Sequence, residues 1–366
     1  MKTIVHIGMP KTGSTALQAC FAKSRQELAS HGVLYPENVE GCPFKNHRLL
    51  VGSFLKFGSM PRHIQSREEY TKENIDEKYR EFVDHVHVQI DRSSPEAMVL
   101  SSESLFRRIP PHKYRPVRRM FDRFGHETRL VAYLRRPSEY FVSMLQQNFR
   151  ASHEVKQPVG PQFRAVLRSY LECFGVPVVS AELFHRDSLT DRDIVSDFCA
   201  RYLREYGVRA RKLRVPEHAN ESVGSESMDI LARYRQSFHA ERNNVATRDT
   251  MELFRELTRA DRKLGAGQPR LRPGIADLVD LSRDDPLWVR DRFGVQFPDF
   301  DYARLEKSGA KRADQGQWRL EDLVEIDREL QRGIFAELER SEWAASDTPR
   351  REWVNSALKG SLADAL

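Results

Sequence analysis

Residues 2–18 constrain the fold of this chain more than any other stretch. Lys2-Thr3-Ile4-Val5-His6-Ile7 is largely apolar and β-branched, stops at Gly8, and runs through Met9-Pro10-Lys11-Thr12-Gly13 into Ser14-Thr15-Ala16-Leu17-Gln18. That order predicts a strand over Thr3–Ile7, a tight loop and a helix opening on Ser14-Thr15. Backbone N–H groups in a glycine-containing loop and at a helix start converge on one centre, which suits a phosphate-like oxyanion. The spacing Gly8-x4-Gly13 matches the Walker A frame, but Ser14 stands where a P-loop nucleotide triphosphatase carries lysine. The lysine lies inside the loop, at Lys11.

The rest of the chain alternates in the same style. Further strands are predicted at Ala97–Ser101, Thr128–Leu134 and Val176–Leu183, with amphipathic helices between them at Ala16–Ser30, Glu69–Ile90, Ser138–Phe149, Phe163–Phe174 and Thr190–Tyr206. Strands that alternate with helices imply an α/β fold with a parallel central sheet flanked by helices. From about residue 217 the strand signal ends. Helices are predicted at Glu226–His239, Thr250–Leu264, Ile275–Phe293 (broken near Pro286) and Leu320–Leu338, giving a mainly helical C-terminal third. Residues 265–274 and 37–61 read as loops, the second with a short helix near Arg48–Phe57, and the polar tail from Ser346 reads as loosely ordered. All four tryptophans, at 288, 318, 343 and 353, fall in the last third, where core packing is the first expectation.

A second segment has the makings of an anion site. Leu130-Val131-Ala132-Tyr133-Leu134 leads to Arg135 at a strand end, Pro137 opens a helix, and Ser143 follows eight positions after the arginine. Arginine offers a planar fork of donors to a dianionic phosphate, and serine adds a hydroxyl. Together, Gly-x-Pro-Lys-Thr-Gly-Ser-Thr and the Arg135–Ser143 pair resemble the cofactor signatures of sulfotransferases that use 3′-phosphoadenosine 5′-phosphosulfate (PAPS), most of all the bacterial carbohydrate-type branch. The likeness spans about residues 1–300 and is strongest at 3–35 and 128–147. It implies a P-loop-like sulfotransferase fold: a sulfotransferase domain over 1–300, its PAPS-binding core at about 1–215, and a helical extension with a polar tail over 301–366. It also implies that Gly8, Lys11, Thr12, Gly13, Ser14 and Thr15 hold the phosphosulfate, that Arg135 and Ser143 hold the 3′-phosphate, and that PAP is the product. No metal is required by that chemistry.

The candidates for catalysis are Lys11, on the leaving 5′-phosphate, with His47 or Glu103 as the base. Glu103 follows Val99-Leu100-Ser101-Ser102 just beyond a predicted strand end; a helix-start charge explains it equally well. His47 lies in Lys45-Asn46-His47-Arg48, after Gly32-Val33-Leu34-Tyr35-Pro36, and both stretches resemble the same branch. His6 is the weaker candidate, expected to pack beside the first strand. The implied activity is transfer of a sulfuryl group from PAPS to a hydroxyl of a carbohydrate or glycoconjugate, with Phe44, Phe54, Phe57 and Trp288 available to stack on sugars. The rivals are a non-catalytic nucleotide-binding scaffold and a P-loop kinase. The kinase predicts lysine at position 14 and a strand-end aspartate, where this chain has Ser14 and Ser-Ser-Glu.

Composition bears on partners and compartment. A net charge of +6 in 366 residues suits a nucleic-acid binder and an enzyme for a polyanionic cofactor alike. The basic residues fall in short clusters amid acidic ones and read mostly as solvated helix faces. The resemblance implies a carbohydrate or glycoconjugate partner and no nucleic acid. Four scattered cysteines without a Cys-x-x-Cys pair suggest reduced thiols, neither disulfide frame nor zinc site. With no leader-like segment before the first strand and no apolar run near the ~18 residues of a membrane span, the expectation is a cytoplasmic protein of bacterial type with no integral membrane segment. A homo-oligomer is compatible with the sequence.

Overall fold

The computed structural model describes residues 1–40, 42, 44, 46–60, 62–65, 68–214, 222–310 and 316–360. Lys45, Pro61, the Asn220-Glu221 pair and the last six residues lie outside them. Five strands, β1 (Lys2–His6), β2 (Val33–Leu34), β3 (Ala97–Ser101), β4 (Glu127–Leu134) and β5 (Val179–Leu183), form one sheet in the order β2-β3-β1-β4-β5. Every pairing is parallel. The α/β class and the helical C-terminal region therefore stand as the sequence predicts. β3 is buried at all five positions and β1 at its last four, as expected where helices cover both faces of a parallel sheet.

The central place of β1 matters for function. Its neighbours are β3 on one side and β4 on the other, with register pairs His6 to Ser101 and His6 to Val131. The chain leaves β1 for β2 and β3 on one side, then crosses to β4 and β5 on the other. The loop after β1 thus lies at the point where the winding reverses, outside the carboxyl ends of the strands, where open α/β sheets bind ligands.

Several elements differ from the sequence expectation. β2 is only two residues long, too short for a periodic signal. The helix expected over Ala16–Ser30 is two: α1 (Ser14–Lys23) and Arg25–Ser30, separated at Ser24, whose hydroxyl accepts the backbone N–H of Arg214 at 2.8 Å. Thr190–Tyr206 is broken into short turns around the helix Ile194–Phe198, which Asp193 caps through the N–H of Ser196. The last predicted helix splits into Leu320–Leu323 and Arg328–Glu339. A helix at Tyr114–Phe124 joins the set. The tail after Ser346 is not loose throughout, because Asp347 caps a helix over Thr348–Leu358 that buries Trp353 and Val354.

The chain clusters into two compact units interleaved along the sequence. One comprises 1–136, 161–219 and 284–307, and the other 137–160, 220–283 and 308–366. In the sheet unit, Ile4, Val99, Val131 and Tyr133 pack with Leu17, Phe21, Val195 and Phe198 in one apolar cluster. In the helical unit, Leu231, Tyr234, Leu253, Phe335, Trp343 and Trp353 share another. Two of the four tryptophans are thus core residues, as the sequence suggests. Among the described residues no helix is long and apolar enough to cross a membrane.

Candidate active site

The loop after β1 is shaped by two glycines with different jobs. Gly13 has φ +74°, and a Cβ there would also sit 3.0 Å from Ile194 Cγ2 and 3.2 Å from Phe184 Cε2. Gly8 is needed for space: a Cβ would approach Ser14 Oγ to 2.4 Å and His6 Cε1 to 2.8 Å. Between them Lys11 takes φ +68°, a left-handed backbone that a non-glycine residue adopts only under constraint and that collects at functional sites. Thr12 Oγ1 donates to the carbonyl of Met9 at 2.7 Å, and Ser14 Oγ reaches the same carbonyl at 3.4 Å, so the hydroxyls brace the loop from inside. α1 begins at Ser14 with no side-chain cap on its N-cap residue. Its first N–H groups therefore have no acceptor a turn earlier and face the loop's concavity.

Other predicted residues converge on this loop from neighbouring strand ends. Glu103 begins a short turn directly after β3, with Ser102 capping it through the N–H of Ser104. Its carboxyl is held above the usual range by burial, opposed by the positive charges of Arg48 and Lys11. Arg135, just past β4, donates from Nη1 to the carbonyl of Lys11 at 3.4 Å, and its guanidinium lies 6.0 Å from the ring centre of Phe184. Lys11, Glu103 and Arg135 thus form one neighbourhood. Thr15 is exposed at the mouth, and Thr12 and Ser14 are buried in the loop wall. Ser143 is half-buried on the helix Pro137–Asn148, which belongs to the helical unit.

His47 does not have the environment of a base. It is fully buried, its Nδ1 accepts the backbone N–H of Ser101 at 2.9 Å, and its Nε2 lies 3.0 Å from the carbonyl of Pro36. Its own N–H donates to the carbonyl of Ser101 at 3.0 Å. With both ring nitrogens committed and burial lowering its pKa to about 4, His47 ties Pro36 to the end of β3. The proposed sugar-stacking aromatics also change role. Phe44 is stacked on Tyr70 with ring centres 5.5 Å apart, and the guanidinium of Arg48 lies 4.3 Å from its ring centre. Phe54 is buried, while Phe57 and Trp288 are half-buried.

Two residues outside the predicted set, Arg48 and Gln18, belong here. Arg48 donates from Nε to Asn46 Oδ1 at 2.8 Å and also acts on Glu103. Gln18, one turn into α1, donates from Nε2 to Ser101 Oγ at 3.1 Å and accepts from Asn46 Nδ2 at 3.0 Å. The signal for both was adjacency: Arg48 follows the Asn46-His47 pair, and Gln18 ends the loop–helix motif.

No metal-holding group of His, Cys, Asp or Glu occurs among the described residues. Comparison with protein-family models, with curated proteins and with solved structures finds no match to this chain.

Proposed function

We propose that this protein is a PAPS-dependent sulfotransferase acting on a hydroxyl of a carbohydrate or glycoconjugate, in the cytoplasm. One observation carries the reading. A glycine-bounded oxyanion loop with an internal lysine meets, at the winding reversal of a parallel sheet, a carboxyl with a raised pKa and a strand-end arginine. The residues present fit the cofactor. Gly8 lets the loop close against Ser14 and His6, where a Cβ would clash, and the donors around the loop (Lys11, Arg135 and the start of α1) are those an oxyanion needs.

Bound PAPS would supply the sulfuryl group and a 5′-phosphate leaving group. The chain's own residues then have distinct tasks. Lys11 and the loop N–H groups stabilise charge that develops on the leaving oxygens. Glu103 takes the proton of the acceptor hydroxyl as the new O–S bond forms, a role favoured by a carboxyl pKa displaced toward neutrality. Arg135 holds the 3′-phosphate and so separates this cofactor from ATP. The carbohydrate acceptor rests on the sequence likeness, since Phe44 and Phe54 are engaged in packing.

Calorimetry with PAP and ATP tests the reading. PAP should bind more tightly than ATP, and Arg135→Ala should weaken PAP by about 1.5–3 kcal/mol, the worth of a hydrogen bond to a charged group. In a sulfate-transfer assay over sugars, phenols and steroids, Glu103→Gln should lower turnover by about 10²–10⁴-fold with PAP affinity retained. Equal affinity for ATP and PAP would overturn the cofactor assignment, and transfer to phenols alone would overturn the acceptor.

A further inference from the structure

The last residue of β1 has a buried hydrogen-bonding atom without a partner. His6 is fully buried, its Nδ1 is 2.9 Å from Ser101 Oγ, and its Nε2 has no hydrogen-bond partner among the described residues. That nitrogen faces the oxyanion loop: a Cβ on Gly8 would lie 3.2 Å from His6 Nε2 and 2.4 Å from Ser14 Oγ. An unpaired polar atom in such a place costs free energy unless something supplies its partner.

Which kind of partner it needs follows from a chain of hydrogen bonds whose direction is fixed at one end. Arginine can only donate, so the 2.8 Å contact from Arg48 Nε makes Asn46 Oδ1 the acceptor and turns Asn46 Nδ2 outward as a donor. Asn46 Nδ2 donates to Gln18 Oε1 at 3.0 Å, which in turn directs Gln18 Nε2 to donate to Ser101 Oγ at 3.1 Å. Ser101 Oγ then has one proton to give, and the acceptor within reach is His6 Nδ1. The imidazole is left with its proton on Nε2. Burial lowers the pKa of His6 to about 4, so the ring is neutral at physiological pH and offers the loop one N–H donor and no charge.

We propose that His6 forms the floor of the oxyanion loop, donating its Nε2–H to an oxygen of the bound phosphate or sulfate group, with Ser101, Gln18, Asn46 and Arg48 as positioning residues that hold it in the donor tautomer. The proposal rests on the loop being the oxyanion site of the function proposed above. It adds a recognition element on a strand rather than on the loop itself. Arg48 also acts on Glu103, so the same residue that starts the chain of hydrogen bonds borders the proposed base.

Long-range ¹H–¹⁵N correlation spectra of the full-length protein labelled with ¹⁵N-histidine test this, with the His6 signals assigned by their loss in His6→Gln. At neutral pH His6 should be protonated on Nε2, and titration with PAP or with inorganic pyrophosphate should shift that resonance and slow its exchange with water. By calorimetry, His6→Asn, which lacks a donor at the distal position, should bind PAP roughly tenfold or more weakly, and His6→Gln, which keeps one, should recover much of the loss. Protonation on Nδ1, or an Nε2–H resonance unmoved at saturating ligand, overturns the inference while PAP binding keeps the sulfotransferase reading. A response to pyrophosphate with no binding of PAP supports the His6 floor and overturns the PAPS assignment. Failure of both ligands to bind overturns both.

Discussion

The two compact units use their buried polar groups in different ways. In the sheet unit one set of these groups lies at the carboxyl ends of β1 and β3, where His6, Ser101, Gln18, Asn46 and His47 are joined by hydrogen bonds. In the helical unit, buried carboxylates close the ends and flanks of helices. Asp280 accepts both the N–H and the hydroxyl of Ser138 at the start of the helix Pro137–Asn148, and Asp261 accepts from Gly224 N–H and Ser227 Oγ, each at 2.7 Å. Asp229 receives Arg233 at 2.8 Å and Arg328 at 3.2 Å. The polar atoms left unpaired in the helical unit include the ring N–H groups of Trp318, Trp343 and Trp353, which sit among aromatic and apolar side chains. The polar set at the ends of β1 and β3 thus leaves a buried imidazole nitrogen unpaired beside the loop, while these carboxylates of the helical unit hold helices. The difference teaches that a buried polar group marks function by where it points, not by burial alone.

The sharpest way to break this contrast is to damage the helical core and watch the loop. Trp353 is buried against Tyr234, Phe238 and Phe335, with ring centres 5.4, 6.3 and 5.6 Å away. Trp353→Ala should cost about 3–5 kcal/mol of stability in urea unfolding. The PAP affinity of the protein that remains folded should be unchanged. A loss below 1 kcal/mol would show that the aromatic cluster is not a stabilising core.

Acid should single out the sheet unit. The folded pKa values of His6 and His47, each about 4, lie below the ordinary value of 6.5, so between those limits the unfolded chain binds more protons than the folded one. Their contribution to stability is complete above pH 6.5 and is lost as pH falls toward 4. At pH 5 the loss is about 2 kcal/mol per ring. Urea midpoints at pH 7.5 and pH 5 should therefore separate more in the wild type than in His47→Gln, and equal separation would remove His47 from the account. In the helical unit the corresponding pair is His239 Nε2 with Asp249 Oδ2 at 2.7 Å, where hydrogen bonds from Thr247, Tyr234 and His239 outweigh burial and hold the Asp249 carboxyl well below its usual range.

The smallest effect sharpens the claim about helix ends. Asp327 caps the helix Arg328–Glu339 through the N–H groups of Glu329 and Leu330, at 2.9 and 3.1 Å. Asp327→Ala should cost about 1 kcal/mol in the same unfolding measurement and leave PAP binding unaltered. An effect on binding larger than on stability would mean that this helix end has a role in the site.

Much of the site was legible because its determinants are local. A β-branched run ending at a glycine predicts a strand and a turn, and Gly8-x4-Gly13 followed by Ser14-Thr15 predicts a loop that turns N–H groups inward. Strand-end positions for Gly8, Glu103 and Arg135 then follow from the parallel class. His47 misled because Asn-His in a loop looks the same whether its ring faces solvent or is clamped between Ser101 and Pro36. The tail after Ser346 misled because its polar composition hides two core residues, Trp353 and Val354, that matter only once Tyr234 and Phe335 are beside them.

The sequence by itself determined the parallel α/β class, the place of the loop and the strand-end residues around it, because periodicity and the backbone demands of glycine act over a few neighbouring residues. Only the tertiary structure decided that β1 lies between β3 and β4, which sets Ser101 against His6 and gives the imidazole its direction. It alone decided that Asp280 caps a helix 142 residues earlier, and that the two units interleave along the chain. The physical reason is range. A hydrogen bond between distant residues depends on strand register and on which side chains reach a common point, and neither is written in the spacing of either residue.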